Sequence, residues 1–131
     1  MTHRTIRDIL QTRTLVKVRP ETRVGEVARR MRDSYVGAAL VMEGEHLIGI
    51  FTERDVLDRV VAEGRDPDVT EIQEVMTAGP IRVGLDMTTV DAARTMKERR
   101  LRHLPVEENG NIVGVVSVRD FLNDEVSVYL M

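Results

Sequence analysis

Apolar positions along this chain fall into short runs and helical stripes, and their whole order comes twice. Leu15-Val16-Lys17-Val18 reads as a short strand closed by Pro20. Val24, Val27, Ala28 and Met31 then recur at i, i+3, i+4 and i+7, one stripe of an amphipathic helix that Glu21-Thr22 would start. Val36 to Met42 is a nearly continuous apolar run, which predicts a buried strand. Glu43-Gly44-Glu45 is a tight turn, and His46 to Phe51 is the antiparallel return. Asp55 to Ala62 predicts a helix with Val56, Leu57, Val60 and Val61 turned inward. Glu63 to Asp68 is polar and holds Gly64 and Pro67, so it ends that helix as a linker. Ahead of these elements, residues 1–13 are a polar lead-in whose apolar pair, Ile9-Leu10, predicts about one helical turn.

The second pass begins near Val75-Met76. Ile81-Arg82-Val83 is its short strand, and Val90, Ala92, Ala93 and Met96 line its first helix. Leu104-Pro105-Val106 opens its central strand. Asn109-Gly110 supplies the positive-φ residues of a tight hairpin turn. Ile112 to Val116 returns, and a last helix is expected from Asp120 to about Val126, with Phe121, Leu122 and Val126 inward. Gly49-Ile50-Phe51-Thr52-Glu53-Arg54-Asp55 matches Gly114-Val115-Val116-Ser117-Val118-Arg119-Asp120 at an offset of 65, the same for the hydroxyl, the Arg and the Asp. Val24 matched to Val90 would shift the first helix of the second copy by one residue. The expected division is a first repeat at 1–62 including the lead-in, a linker at 63–72 and a second repeat at 73–131. Each is strand, helix, strand, strand, helix. One such unit of about 60 residues buries too little surface to be stable by itself, so two are expected to share a core.

Composition narrows the function classes. The chain is 42% hydrophobic and 31% charged with a net charge of −3, which argues against a nucleic-acid-coating protein. There are no cysteines, which excludes disulfides, thiolate zinc sites and cysteine nucleophiles. No apolar run approaches the roughly 18 residues of a membrane span, and the first residues do not read as a signal peptide. The expectation is a cytoplasmic protein without a membrane anchor. His3 and His46 read as surface residues, and no His/Asp/Glu set has metal-ligand spacing on one face. Ser34, Ser117 and Ser127 lack a base that would make a triad. The expectation is therefore no metal and no enzyme activity.

The repeated junction is where chemistry gathers. A strand that runs into a helix points the first helical N–H groups at one spot, favouring an anion. Thr52 and Ser117 sit at the two joints, and Asp55 and Asp120 lie three residues on. An ionised Asp has acceptor capacity on two oxygens, enough for the two hydroxyls of a ribose. Arg54 and Arg119 are placed to reach a phosphate, as are Lys17 and the pair Arg102-His103. The same Thr-x-x-Asp and Ser-x-x-Asp spacing also serves as a capping box, with no ligand at all.

Several pieces in duplicate carry a resemblance. They are the short apolar strand before a Val/Ala/Met helix, Val75-Met76-Thr77 opening the second copy, Arg102-His103-Leu104-Pro105-Val106, and Gly-apolar-apolar-Ser/Thr-x-x-Asp twice. From about Ile9 to Val126 the chain resembles a tandem pair of cystathionine β-synthase (CBS) domains, a Bateman module, here as a stand-alone CBS-domain protein. The resemblance implies an α/β (α+β) fold of two β-α-β-β-α repeats packed as a pseudo-twofold pair. It implies a regulatory module that binds AMP, ADP or ATP, or else NAD or S-adenosylmethionine, in a cleft between the repeats. Carried over by position, one site uses Thr52 and Asp55 with Tyr35, Val36, Gly37 and Ala38. The other uses Ser117 and Asp120 with Arg102, His103 and Leu104, while Leu15 to Lys17 and Pro80-Ile81 flank the bases. The first copy departs from the pattern at Leu40, where the second has Pro105, and Tyr35-Val36-Gly37 stands in for Arg102-His103-Leu104. The sites are expected to be unequal, with the first the weaker. The resemblance further implies a homodimer formed through the helices and a target protein reached in trans. The alternative is a constitutive interaction module whose junctions are helix caps alone.

Overall fold

The computed structural model describes residues 3–121. The element order is α1 (Ile6–Ile9), β1 (Lys17–Val18), α2 (Val24–Ser34), β2 (Ala38–Glu43), β3 (His46–Thr52), α3 (Glu53–Asp55), β4 (Thr77–Ala78), β5 (Val83–Gly84), α4 (Thr89–Arg99), β6 (His103–Glu108) and β7 (Asn111–Ser117). The expected final helix is seen as a tight helical turn over Val118–Phe121; Leu122 and Val126 lie outside the described residues. Four strands form one sheet in the order β1-β2-β3-β4, and three form another in the order β5-β6-β7. The mixed α/β class is as expected.

Both sheets follow one plan. β1 runs parallel to β2 and β5 to β6, while β2–β3 and β6–β7 are antiparallel hairpins. Each hairpin carries a bulge, at Val41/Met42 and at Val106/Glu107, 65 residues apart. Gly44 (φ 61°) and Asn109 (φ 54°) occupy equivalent left-handed turn positions. Helices α2 and α4 end alike on left-handed residues, Tyr35 and Arg100. The one-residue shift expected in the second helix is absent. Buried Thr89 takes the place of Val24, and Ala92 and Met96 take those of Val27 and Met31. Thr88 caps α4 by accepting the Asp91 N–H at 3.1 Å, which fixes the helix start.

The chain divides into two compact units, Thr14–Pro80 in one and the residues before Thr14 with those from Ile81 onward in the other. The lead-in, grouped in sequence with the first repeat, thus packs on the second. Ile6 N–H donates to Met87 O at 2.9 Å, Arg7 N–H to Leu85 O at 3.0 Å, and Thr89 N–H to Arg4 O at 2.9 Å. The segment 63–76, expected as a linker and the opening of the second copy, packs on the first by the same three bonds. Ile72 N–H donates to Thr22 O at 2.8 Å, Gln73 N–H to Pro20 O at 3.1 Å, and Val24 N–H to Thr70 O at 2.9 Å. Apolar burial is the cause. Ile6 and Ile9 complete the core around Met96, Leu104, Val116 and Phe121, and Ile72 and Val75 complete the one around Val27, Met31, Val41 and Phe51.

After α3 the helix widens through Val56–Val61, with Ala62 N–H bonded to Leu57 O and Arg65 N–H to Val60 O, both five residues back and both at 2.9 Å. The wider turn narrows the inward face to Val56 and Val60. Leu57 and Val61, expected inside, are 59% and 65% exposed.

Gly49 and Gly114 are the points of closest approach. A Cβ on Gly49 would drive into the Met76 side chain, and one on Gly114 would stand 2.8 Å from Leu10 Cδ1. Gly114→Ala is expected to cost about 1–3 kcal/mol through overpacking. In a Leu10→Ala background the penalty should shrink by at least half, because the clashing methyls are gone. Urea denaturation of the four chains of that cycle measures this, and strict additivity would contradict the packing described.

Candidate functional site

The repeated junction is a joint held by its own carboxylate. In the first, Thr52 N–H donates to Asp55 Oδ2 at 2.9 Å, and Thr52 Oγ1 lies 3.2 Å from the same oxygen. The Asp55 N–H returns to Thr52 Oγ1 at 3.4 Å. In the second, Ser117 N–H donates to Asp120 Oδ2 at 2.7 Å. The capping box read from the spacing is therefore made in full at Thr52 and Asp55, and its carboxylate half is made at Ser117 and Asp120; in both it uses Oδ2 of the carboxylate. Oδ1 is left for other work.

Two other contacts bring the start of the preceding strand to each joint. Glu53 N–H donates to Gly37 O at 3.0 Å, and Val118 N–H to Arg102 O at 2.9 Å. Across the hairpins Ala38 pairs with Thr52, and His103 with Ser117. So Gly37, Ala38, Thr52 and Asp55 come together, as do Arg102, His103, Ser117 and Asp120. The register corrects one expectation. Gly37 and Ala38, and not Tyr35 to Gly37, occupy the places of Arg102 and His103.

The remaining candidates distribute as follows. Tyr35 is 96% exposed at the end of α2, and Val36 packs against the first core. Leu104 is fully buried, so a ligand could meet its backbone alone. Lys17 is exposed on β1, beside Leu40 of β2. Pro80 is half-buried; Ile81 is half-buried against the second core. Arg54 is exposed and paired with Asp58 at 3.1 Å on its own helix, a contact worth little at a surface. Arg119 is exposed.

The two joints differ in charge. At matching positions the first has Gly37, Ala38 and Glu53, and the second has Arg102, His103 and Val118. The second gains one guanidinium and one imidazole and lacks one carboxylate, so it is the better place for an anion. The backbone differs too. Leu40 N–H donates to Val16 O at 2.8 Å, whereas Pro105 has no N–H to offer Ile81 O.

Two arginines that the sequence reading did not place meet the free carboxylate oxygens. Arg59 Nε lies 3.6 Å from Asp55 Oδ1, four residues along the same helix. Arg13 Nη2 lies 2.7 Å from Asp120 Oδ1, and the Asp120 side chain is 4% exposed against 13% for Asp55. The i, i+4 spacing announces Arg59. Nothing local announces Arg13, which arrives from 107 positions away. Among the described residues no group of three His, Cys, Asp or Glu is placed to hold a metal ion, and no helix is long and apolar enough to cross a membrane.

Comparison with known proteins gives consistent likenesses. The CBS domain family model matches residues 6–62 and 71–126. The CBS domain-containing protein CBSCBSPB3 of Arabidopsis thaliana is 39% identical over 107 residues; the match covers 81% of this chain and 19% of that protein. The chain thus spans about a fifth of that relative's length. The crystal structure of the CBS domain NE2398 superposes with a TM-score of 0.87 at 33% identity, covering 96% of this chain and 100% of that one. The CBS domain protein PAE2072 from Pyrobaculum aerophilum, solved in complex with AMP, superposes with a TM-score of 0.83 at 26% identity, covering 96% and 97%.

Removing either carboxylate takes the acceptor from the N–H of Thr52 or Ser117 and a charged partner from an arginine, although Arg59 keeps its bonds to Val75 O and Met76 O at 3.3 and 2.8 Å. Asp120→Ala is expected to cost about 1–3 kcal/mol of stability and Asp55→Ala less, because the Arg13 contact is the shorter and drier of the two. Chemical denaturation midpoints check the order; equal losses would remove the claimed difference between the pairs.

Proposed function

The chain belongs to the CBS domain family, and on that premise we propose that it is a non-catalytic regulatory module that binds an adenine nucleotide at its strand–helix joints. The observation that carries this reading is the second joint. There Asp120 keeps one oxygen beyond its capping role, and Arg102 and His103 stand at the start of the strand that is bonded to the same joint. A carboxylate that accepts from ribose hydroxyls and cations that meet phosphate are the two halves of nucleotide recognition. The AMP bound by the Pyrobaculum relative supports that ligand class. AMP, ADP and ATP come first; NAD and S-adenosylmethionine share the adenosyl part and fall within the same reading. Thr52, Asp55, Gly37 and Ala38 form the weaker site, where Glu53 opposes phosphate and no Arg-His pair compensates.

Binding regulates through differential affinity for two states of the module, read by a target protein in trans. A self-association face is proposed at Leu57 and Val61, an exposed apolar pair four residues apart on one turn of helix.

A second reading has its own observation. Asp55 and Asp120 both accept the backbone N–H of their joint's hydroxyl residue, so a constitutive interaction module would use the same residues for stability alone. Thermal shift separates the two readings. A nucleotide at 100 times its dissociation constant stabilises by about 2.7 kcal/mol, and Asp120→Ala should weaken that binding more than Asp55→Ala. If AMP, ADP, ATP, NAD and S-adenosylmethionine all leave the melting temperature unmoved, the interaction module is the surviving reading. For the association face, Leu57→Glu with Val61→Glu should lower the sedimentation coefficient from that of a dimer to that of a monomer. A wild-type chain already monomeric at high micromolar concentration would sink that part.

A further inference from the structure

We propose that Arg13 is a latch built into the second joint: its guanidinium occupies Asp120 Oδ1 and must leave before a ribose can take that oxygen. The inference rests on the nucleotide reading above and adds how that site is regulated. Its basis is the division of labour within one carboxylate. Oδ2 accepts Ser117 N–H at 2.7 Å and holds the joint; Oδ1 accepts Arg13 Nη2 at 2.7 Å. With both oxygens engaged, the Asp120 side chain is 4% exposed. The bond from Ser117 N–H is made on Oδ2 and does not involve Arg13, which engages the other oxygen.

The latch has no counterpart in the other repeat. The lead-in Thr5 to Leu10 matches Glu71 to Met76 at an offset of 66, and on that register the position of Arg13 falls on Gly79. Asp55 is met instead by Arg59 of its own helix, at the longer 3.6 Å. Arg13 is also built to let go. It sits on the connector, outside helix and strand, with its side chain 34% exposed, so water can take its charge. It is the last residue of its unit before the chain passes into Thr14–Pro80. A ligand that claims Oδ1 therefore frees the residue on which the chain leaves.

Adenosine is the cleaner probe, because it has the ribose and no phosphate for a released arginine to attract. Calorimetry on the full chain in an Asp55→Asn background reads the second joint. There Arg13→Gln should bind adenosine roughly tenfold more tightly, the factor set by losing one charge-assisted competitor. AMP should gain less, since the variant also loses a positive charge near the phosphate. Arg13→Lys keeps the charge but not the fork; it should gain in the same direction by less, and it replaces the glutamine variant if that chain folds poorly. Unchanged or weaker adenosine binding in both variants, with AMP still bound by the parent chain, overturns the latch and leaves the nucleotide reading standing. Binding of neither compound by any of the chains overturns both.

Discussion

A repeat of about 60 residues is marginal in the apolar surface it can bury, and the packing of this chain turns on how that shortfall is met. Each core is closed by a short segment that precedes the other repeat in sequence. Ile6 and Ile9 seal one, Ile72 and Val75 the other, by three equivalent backbone bonds apiece. The closing segments also set the glycines. Leu10 and Met76 lie against β7 and β3 so closely that the strand must have no side chain at Gly114 and Gly49. The glycine three positions before each hydroxyl is a packing requirement.

The same closure decides what the joints can do. Because α1 is bonded to Leu85 and Met87, the connector that follows it runs where Arg13 can meet Asp120. Asp120 then serves the fold with one oxygen and pairs an arginine with the other. Capping and ligand binding, posed as alternatives by the spacing alone, are compatible in one side chain, since the cap takes Oδ2 and not Oδ1. A carboxylate pinned by a backbone N–H is held in one rotamer, and a fixed acceptor loses less entropy on binding than a free one.

Much of this was legible in the residues. The duplicated order of strand, helix and hairpin, the Asn109-Gly110 turn and the carboxylate that holds each joint came from period, turn chemistry and spacing, which are local signals. Three kinds of feature were not legible. The swap of closing segments depends on which apolar pair finds which core, and Ile9-Leu10 carries no mark of its partner. The exposure of Leu57 and Val61 depends on a helix that widens after Asp55, whereas an α-helical period puts them inside. The shift inferred for the second helix arose from demanding Val for Val; a buried Thr89 fills the place of Val24, and the N-caps Arg23 and Thr88 are themselves 65 residues apart. Register by backbone also moved the counterparts of Arg102 and His103 to Gly37 and Ala38.

Five matched positions now separate the two joints: Gly37 and Arg102, Ala38 and His103, Leu40 and Pro105, Glu53 and Val118, Gly79 and Arg13. None of them disturbs the shared plan, since the bulge, the hairpin register and the backbone bonds Glu53 to Gly37 and Val118 to Arg102 recur in both units. Four change charge or ring chemistry around a carboxylate, and one removes a backbone donor. Fold stability gives no reason for so lopsided a set, because a surface charge exchange is worth a few tenths of a kcal/mol at most sites. Charge does separate the joints: Arg102 and Arg13 stand at the second and Glu53 at the first, so the potential around Asp120 is the more positive. The two copies of one turn thus differ in the side chains around Asp55 and Asp120 and not in the turn that presents them.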